Sequence, residues 1–232
     1  MKAFFTCILA LLLFTHCEVN MQNCIEGEGE PQEKEFEVEG FEGISLKIPA
    51  KVKLSQGTQS VTIKAPSNYW QELEMDVRRN ILTIESNKCF EDKIEATIST
   101  PNINYIEIAG SGNINSESFS TTELELQIKG SGDMNLDCQL EDLSTAITGS
   151  GDINIKGSAQ SLDLSIAGSG DFNAFDLEVL DAKVQIAGSG DTQLNVFNEL
   201  DVKIAGSGDV MYKGHPKIQS TIVGSGDIID AN

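Results

Sequence analysis

The tetrapeptide Gly-Ser-Gly-Asp, with Asn replacing Asp in the first copy, occurs seven times, beginning at Gly110, Gly130, Gly149, Gly168, Gly188, Gly206 and Gly224. An isoleucine stands two residues before every copy: Ile108, Ile128, Ile147, Ile166, Ile186, Ile204 and Ile222. Successive copies start 20, 19, 19, 20, 18 and 18 residues apart. Self-similarity at such a period predicts a solenoid, because one short unit cannot bury its apolar face alone and must stack on its neighbours.

Within each unit the pattern is that of strands. Positions two, four and six residues before the tetrapeptide are mostly apolar, as in Leu124, Leu126 and Ile128, or Leu200, Val202 and Ile204. The positions between them are mostly polar or small, such as Glu125 and Gln127, or Asp201 and Lys203. A period of two marks a strand with one buried face. After the glycines an apolar residue returns in Ile114, Met134, Ile153, Phe172, Val210 and Ile228, with Thr192 as the exception. Each coil therefore reads as strand, tight corner, strand.

The corner residues form the main candidate set, with a structural role. They are Gly110, Gly112 and Asn113; Gly130, Gly132 and Asp133; Gly149, Gly151 and Asp152; Gly168, Gly170 and Asp171; Gly188, Gly190 and Asp191; Gly206, Gly208 and Asp209; and Gly224, Gly226 and Asp227. Glycine at two of four positions supplies positive φ or close backbone approach without steric cost. With strands about 4.8 Å apart, the seven isoleucines fall into one interior column, each contributing roughly 1.5–3 kcal/mol on burial. Asn115, Asn135, Asn154, Asn173 and Gln193 share one site beyond the corner and are expected to hydrogen-bond from coil to coil.

Residues 36–108 lack the tetrapeptide but keep strand-like segments such as Ile44–Ile48 and Ile81–Ile84. They are expected to form irregular first coils capping one end, or else a separate small β domain, with a short helical turn between Ser67 and Val77 packing Trp70 and Leu73 inward. The regular repeats occupy 109–232.

The N-terminus reads as an export signal over residues 1–16: Lys2, an apolar run from Ala3 to Phe14 interrupted by Thr6, then Thr15-His16-Cys17. The run is too short to span a bilayer, which takes about 20 residues. Leu12 to Cys17 resembles a bacterial lipoprotein signal, with Cys17 the acylated residue, although His16 stands where a small residue is usual. Cleavage without lipidation, or modification of another cysteine, stays open. Residues 17–35 are acidic and interrupted by Gly27, Gly29 and Pro31, which predicts a flexible tether.

Lys and Arg number 16 against 36 Asp and Glu, a formal charge of -20, which argues against nucleic acid as a partner. Such acidity suits a self-repelling, exported surface or cation binding. Cys24, Cys89 and Cys138 fit no zinc spacing. Cys138 reads as a buried thiol, and a Cys24–Cys89 disulfide is one possibility. His215 lies beside Pro216 in a loop, and no serine has a plausible histidine and acid arrangement.

Glu39-Gly40-Phe41-Glu42-Gly43-Ile44, Val52-Lys53-Leu54-Ser55-Gln56-Gly57, the Thr100-Pro101 strand entry and the repeated Gly-Ser-Gly-Asp together resemble the head-GIN domain, described as an autotransporter adhesin domain and common in exported proteins of Bacteroidetes-type bacteria. The resemblance spans roughly 36–229. It implies an all-β, right-handed β-helix-like body with coils of about 19 residues, a cell-envelope location and no assigned catalysis.

Three functions follow as expectations. The first is a non-enzymatic, lipid-tethered adhesion or assembly scaffold on the outer membrane, at its periplasmic or cell-surface face, with a protein or glycan ligand, no cofactor and a possible homo-oligomeric state. The second is a polysaccharide-binding or polysaccharide-cleaving β-helix, for which paired carboxylates would be needed. The third is cation binding by the column Asn113, Asp133, Asp152, Asp171, Asp191, Asp209 and Asp227, since stacked carboxylates repel and calcium takes six to eight oxygens.

Overall fold

The computed structural model describes residues 24–38, 40–92 and 94–232. The signal region and Cys17 lie outside the described residues. Among the described residues eighteen strands join into one continuous β-solenoid, with one short 3-10 turn at Ser67–Gln71.

Each regular coil contributes to two faces. The face before the corner stacks Gly43–Leu46 (β2), Tyr105–Ile108 (β8), Glu123–Ile128 (β10), Asp142–Gly149 (β12) and the second halves of Ile153–Gly168 (β13), Phe172–Gly188 (β14) and Thr192–Gly206 (β15), ending on Lys217–Gly224 (β17). The face after the corner stacks Ala50–Gln56 (β3), Asn113–Ser120 (β9), Met134–Gln139 (β11) and the first halves of β13, β14 and β15. It ends on Val210–Lys213 (β16) and Ile228–Asp230 (β18). All these pairings are parallel, as stacked coils require.

Register follows the side chains. Ile128, Ile147, Ile166, Ile186 and Ile204 pair in sequence, so the isoleucines do form one interior column. Six of the seven are buried, but Ile222 on β17 is 40% exposed, since among the described residues β17 pairs with β15 alone. A repeat pattern is blind to where the stack stops. Thr145 and Thr192 occupy core columns, and their buried hydroxyls have no hydrogen-bond partner among the described residues.

Residues 36–108 belong to the same body rather than to a separate domain, because β2 and β3 pair directly with β8 and β9. Beyond them the solenoid changes character. Ile81–Glu85 (β6) and Ile94–Thr100 (β7) continue the two faces, and antiparallel strands then finish them: Glu74–Arg78 (β5) on β6, Ser60–Ala65 (β4) on β7, and Gln32–Phe36 (β1) on β4.

Strand β1 corrects the expectation of a flexible tether through residue 35. Its residues pair from Gln32 with Ala65 to Phe36 with Val61, and Cys24 is disulfide-bonded to Cys89. The segment lacks an apolar alternation because it is an edge strand with little to bury, and its order comes from backbone pairing. The disulfide closes a separation of 65 residues, which in chain-entropy terms contributes about 4 kcal/mol. In the helical turn Trp70 and Leu73 pack partly buried against the core, as expected, and the fully buried residue is Tyr69. Its ring lies 4.4 Å from that of Phe90, and its hydroxyl lies 2.9 Å from the Ile25 carbonyl and 3.0 Å from the Asp92 carboxylate.

Candidate functional site

The stacked corners bring every predicted turn residue into vertical columns. The first glycine of each of the first six corners has its carbonyl bonded by the serine N–H of the next coil, from Ser131 to Gly110 (3.0 Å) through Ser225 to Gly206 (2.9 Å). This approach leaves no room for a side chain. A Cβ on Gly168 would lie 2.2 Å from the Gly149 oxygen, and one on Gly170 2.2 Å from the Gly151 oxygen. Gly168 also has φ 151°, so two separate constraints select glycine there, whereas Gly170 is fixed by proximity alone. Gly110, in the first corner, would place its Cβ 3.5 Å from its nearest neighbour and is not so constrained.

The aspartates have a specific partner. Five of the six accept a hydrogen bond on Oδ1 from the backbone N–H of the aspartate one coil on: Asp152 to Asp133 (3.1 Å), Asp171 to Asp152 (2.9 Å), and Asp191 to Asp171, Asp209 to Asp191 and Asp227 to Asp209 (each 2.8 Å). Repulsion along the column is thus offset by amide donors of the next coil. One oxygen of each of these five carboxylates is committed to the fold, and among the described residues no group of three or more His, Cys, Asp or Glu is placed to hold a metal ion.

Beside this column runs the amide ladder. Asn135 donates to Asn115 (3.0 Å), Asn154 to Asn135 (3.0 Å) and Asn173 to Asn154 (3.2 Å), with Gln193 in register beyond. Each interior amide spends one N–H and one lone pair on its neighbours and presents the others outward. The ladder forms one wall of a groove of about 650 Å³, whose other side carries Asp137, Lys156, Asp176 and Phe175. Phe175 sits on a bulge of β14 and lies 4.3 Å beneath the Lys213 ammonium. A second groove, of about 750 Å³, follows the start of the other face. It is lined by Glu123, Glu125, Asp142, Asp163, Asp181, Glu199 and Asp201, with Lys183 bound to Asp163 (2.9 Å) and Lys217 to Glu199 (3.6 Å).

Two features escape the repeat pattern. Glu107 is 8% exposed and receives hydrogen bonds from Ser45 (2.7 Å), Tyr105 (2.8 Å) and Lys129 (2.6 Å). Burial alone pushes its carboxyl up, but these donors and the Lys129 charge outweigh that and hold it below the usual carboxylate range. No periodic signal marks it, since its position is Gln127 and Ala146 in the next two coils. Gly157 is the other: φ is 122° and a Cβ there would meet the Cys138 oxygen at 1.9 Å. Cys138 is buried, and that burial, with Asp137 nearby, pushes its thiol up to about 12.

The comparisons with known proteins agree with this architecture. A family model described as "Putative auto-transporter adhesin, head GIN domain" matches residues 40–216. The chain belongs to this head-GIN family. Among solved structures it is similar to a putative adhesin from Bacteroides fragilis, with 25% identity and a TM-score of 0.82 over 88% of this chain and 98% of that one. It shares its fold with a putative lipid binding protein from Parabacteroides distasonis (23% identity, TM-score 0.73, 89% and 99% coverage). The same holds for a putative adhesin from Parabacteroides merdae (21% identity, TM-score 0.69, 89% and 99% coverage). A comparison with curated proteins finds no match. The head-GIN solenoid and its relatives support an adhesin-like, non-enzymatic role at the cell envelope.

Proposed function

We propose that this head-GIN protein is a lipoprotein anchored in the outer membrane through Cys17, whose solenoid serves adhesion or surface assembly by presenting its ladder faces to a protein or glycan ligand. The observation that carries this reading is that surface chemistry repeats from coil to coil: amides at Asn115, Asn135, Asn154 and Asn173, and carboxylates already bound by backbone N–H groups. A surface built from identical rungs suits many weak contacts with an extended partner, where effective concentration multiplies affinity. A reaction centre would instead gather unlike groups at one place. The Cys24–Cys89 disulfide suits an oxidising compartment outside the cytoplasm.

Two measurements test it. Labelled fatty acid should be incorporated by the wild-type protein and not by Cys17→Ala, and a deletion strain should lose attachment to host matrix, glycans or other cells. Absent labelling would overturn the anchor, and unchanged attachment on all three surfaces would overturn the adhesive role.

A further inference from the structure

Among the described residues the C-terminal coil leaves a strand and an apolar edge uncovered. On β17, Ile218 is 36% exposed, Ile222 40% and Val223 69%, and among the described residues no strand pairs with its outer edge. We infer that this end of the solenoid is a self-association surface, on which β17 pairs antiparallel with β17 of a second copy about a two-fold axis through Ser220.

The backbone fixes the register. In preceding coils the carbonyls of Ile108 and Gly206, residues of the inward-facing set, accept hydrogen bonds from the following coil. By the same geometry the inward residues of β17 aim their N–H and C=O groups at the open end: Ile218, Ser220, Ile222 and Gly224 are the register partners of Leu200, Val202, Ile204 and Gly206. Antiparallel pairing centred on Ser220 sets Ser220 opposite Ser220, and Ile218 opposite Ile222 in both directions. Every opposed residue in that core then has a free donor and acceptor facing its partner. The two interiors become continuous, apolar against apolar.

Charge favours a second copy on this strand. On β15 the outward positions are Asp201 and Lys203, whereas their partners on β17 are the neutral Gln219 and Thr221. A protein of formal charge -20 repels itself almost everywhere else. The other open strand, β18, ends in a local closure instead. Asn232 bonds Gly214 in both directions, at 3.0 Å and 2.9 Å, next to Asp230. The opposite end of the solenoid is sealed by the antiparallel strands and the Tyr69 turn, so the association closes at two copies and forms no filament.

Light scattering across a concentration series should show the mass of the full chain doubling, with no larger species. Added salt should strengthen the association by screening the net charge. Ile222→Glu should hold the mass at one copy with circular dichroism unchanged. Ser220→Pro provides a second variant, because the N–H it removes faces the partner and not β15. In intact cells, Ser220→Cys should give a disulfide-linked dimer between the two introduced thiols after mild oxidation, well above Ser131→Cys on the distant corner ridge. A mass that never doubles, larger assemblies, doubling that survives both Ile222→Glu and Ser220→Pro, or equal cross-linking at the two positions would overturn the inference.

Discussion

The two ends of this solenoid solve the same problem in opposite ways. At the N-terminal end the outermost strands are Gln-Glu-Lys-Glu-Phe (β1) and Glu-Met-Asp-Val-Arg (β5), charged and paired antiparallel to what lies beneath. Tyr69 and Phe90 pack against each other in the interior, and a disulfide ties Cys24 to Cys89. At the C-terminal end β17 is paired on one side alone among the described residues, leaving Ile218 and Ile222 partly in water. Charged, irregular edges block further pairing, whereas a neutral, regular edge invites it. Repetition builds the body of the protein, and only departures from repetition can finish it.

The sharpest way to break the comparison is a single methyl group at equivalent corners. Gly168→Ala should cost at least about 4 kcal/mol, since it combines a forbidden φ with a backbone clash. Gly110→Ala, at the first corner, should stay within about 1 kcal/mol of wild type in urea unfolding, having neither. Next in size is the cap. Cys24→Ser with Cys89→Ser should remove about 2–5 kcal/mol, with proteolysis entering at β1 before any interior coil.

The isoleucine column gives a graded version of the test. Ile166→Ala, fully buried, should cost about 2–5 kcal/mol, and Ile222→Ala, already 40% exposed, well under half of the Ile166→Ala value. A smaller effect is expected at Glu107. Its pKa is lowered in the folded state, so its stabilisation is present above the unfolded carboxylate value near 4 and is lost as pH falls through the folded value. Glu107→Gln should flatten that part of the acid limb of thermal melting. Smallest, and opposite in sign, Thr145→Val should stabilise by about 1 kcal/mol, because it removes a buried hydroxyl that has no partner.

What the sequence discloses and what it hides follow from the same physics. The corner glycines, the isoleucine column and the amide ladder are legible because stacking forces one chemical solution on every coil. Strand β1 is hidden, since an edge strand exposing both sides carries no alternation and its composition matches a linker. The exposure of Ile222 is hidden because the residues around it repeat those around the buried isoleucines, while the pairing of β17 with β15 alone among the described residues is a property of the stack. Glu107 and Gly157 are hidden because each answers a local need in one coil. The Cys24–Cys89 pairing is one of several that the sequence allows, as a separation of 65 residues says nothing about proximity in space.

The asymmetry of the two ends can be read directly by native-state hydrogen exchange on dilute protein. The account predicts strongest protection in β12–β15, comparable protection in β4 and β7 under the disulfide-bonded cap, and the weakest protection of any strand in β17 and β18. Protection that is equal at both ends, or that is lost first from the N-terminal strands, would contradict it.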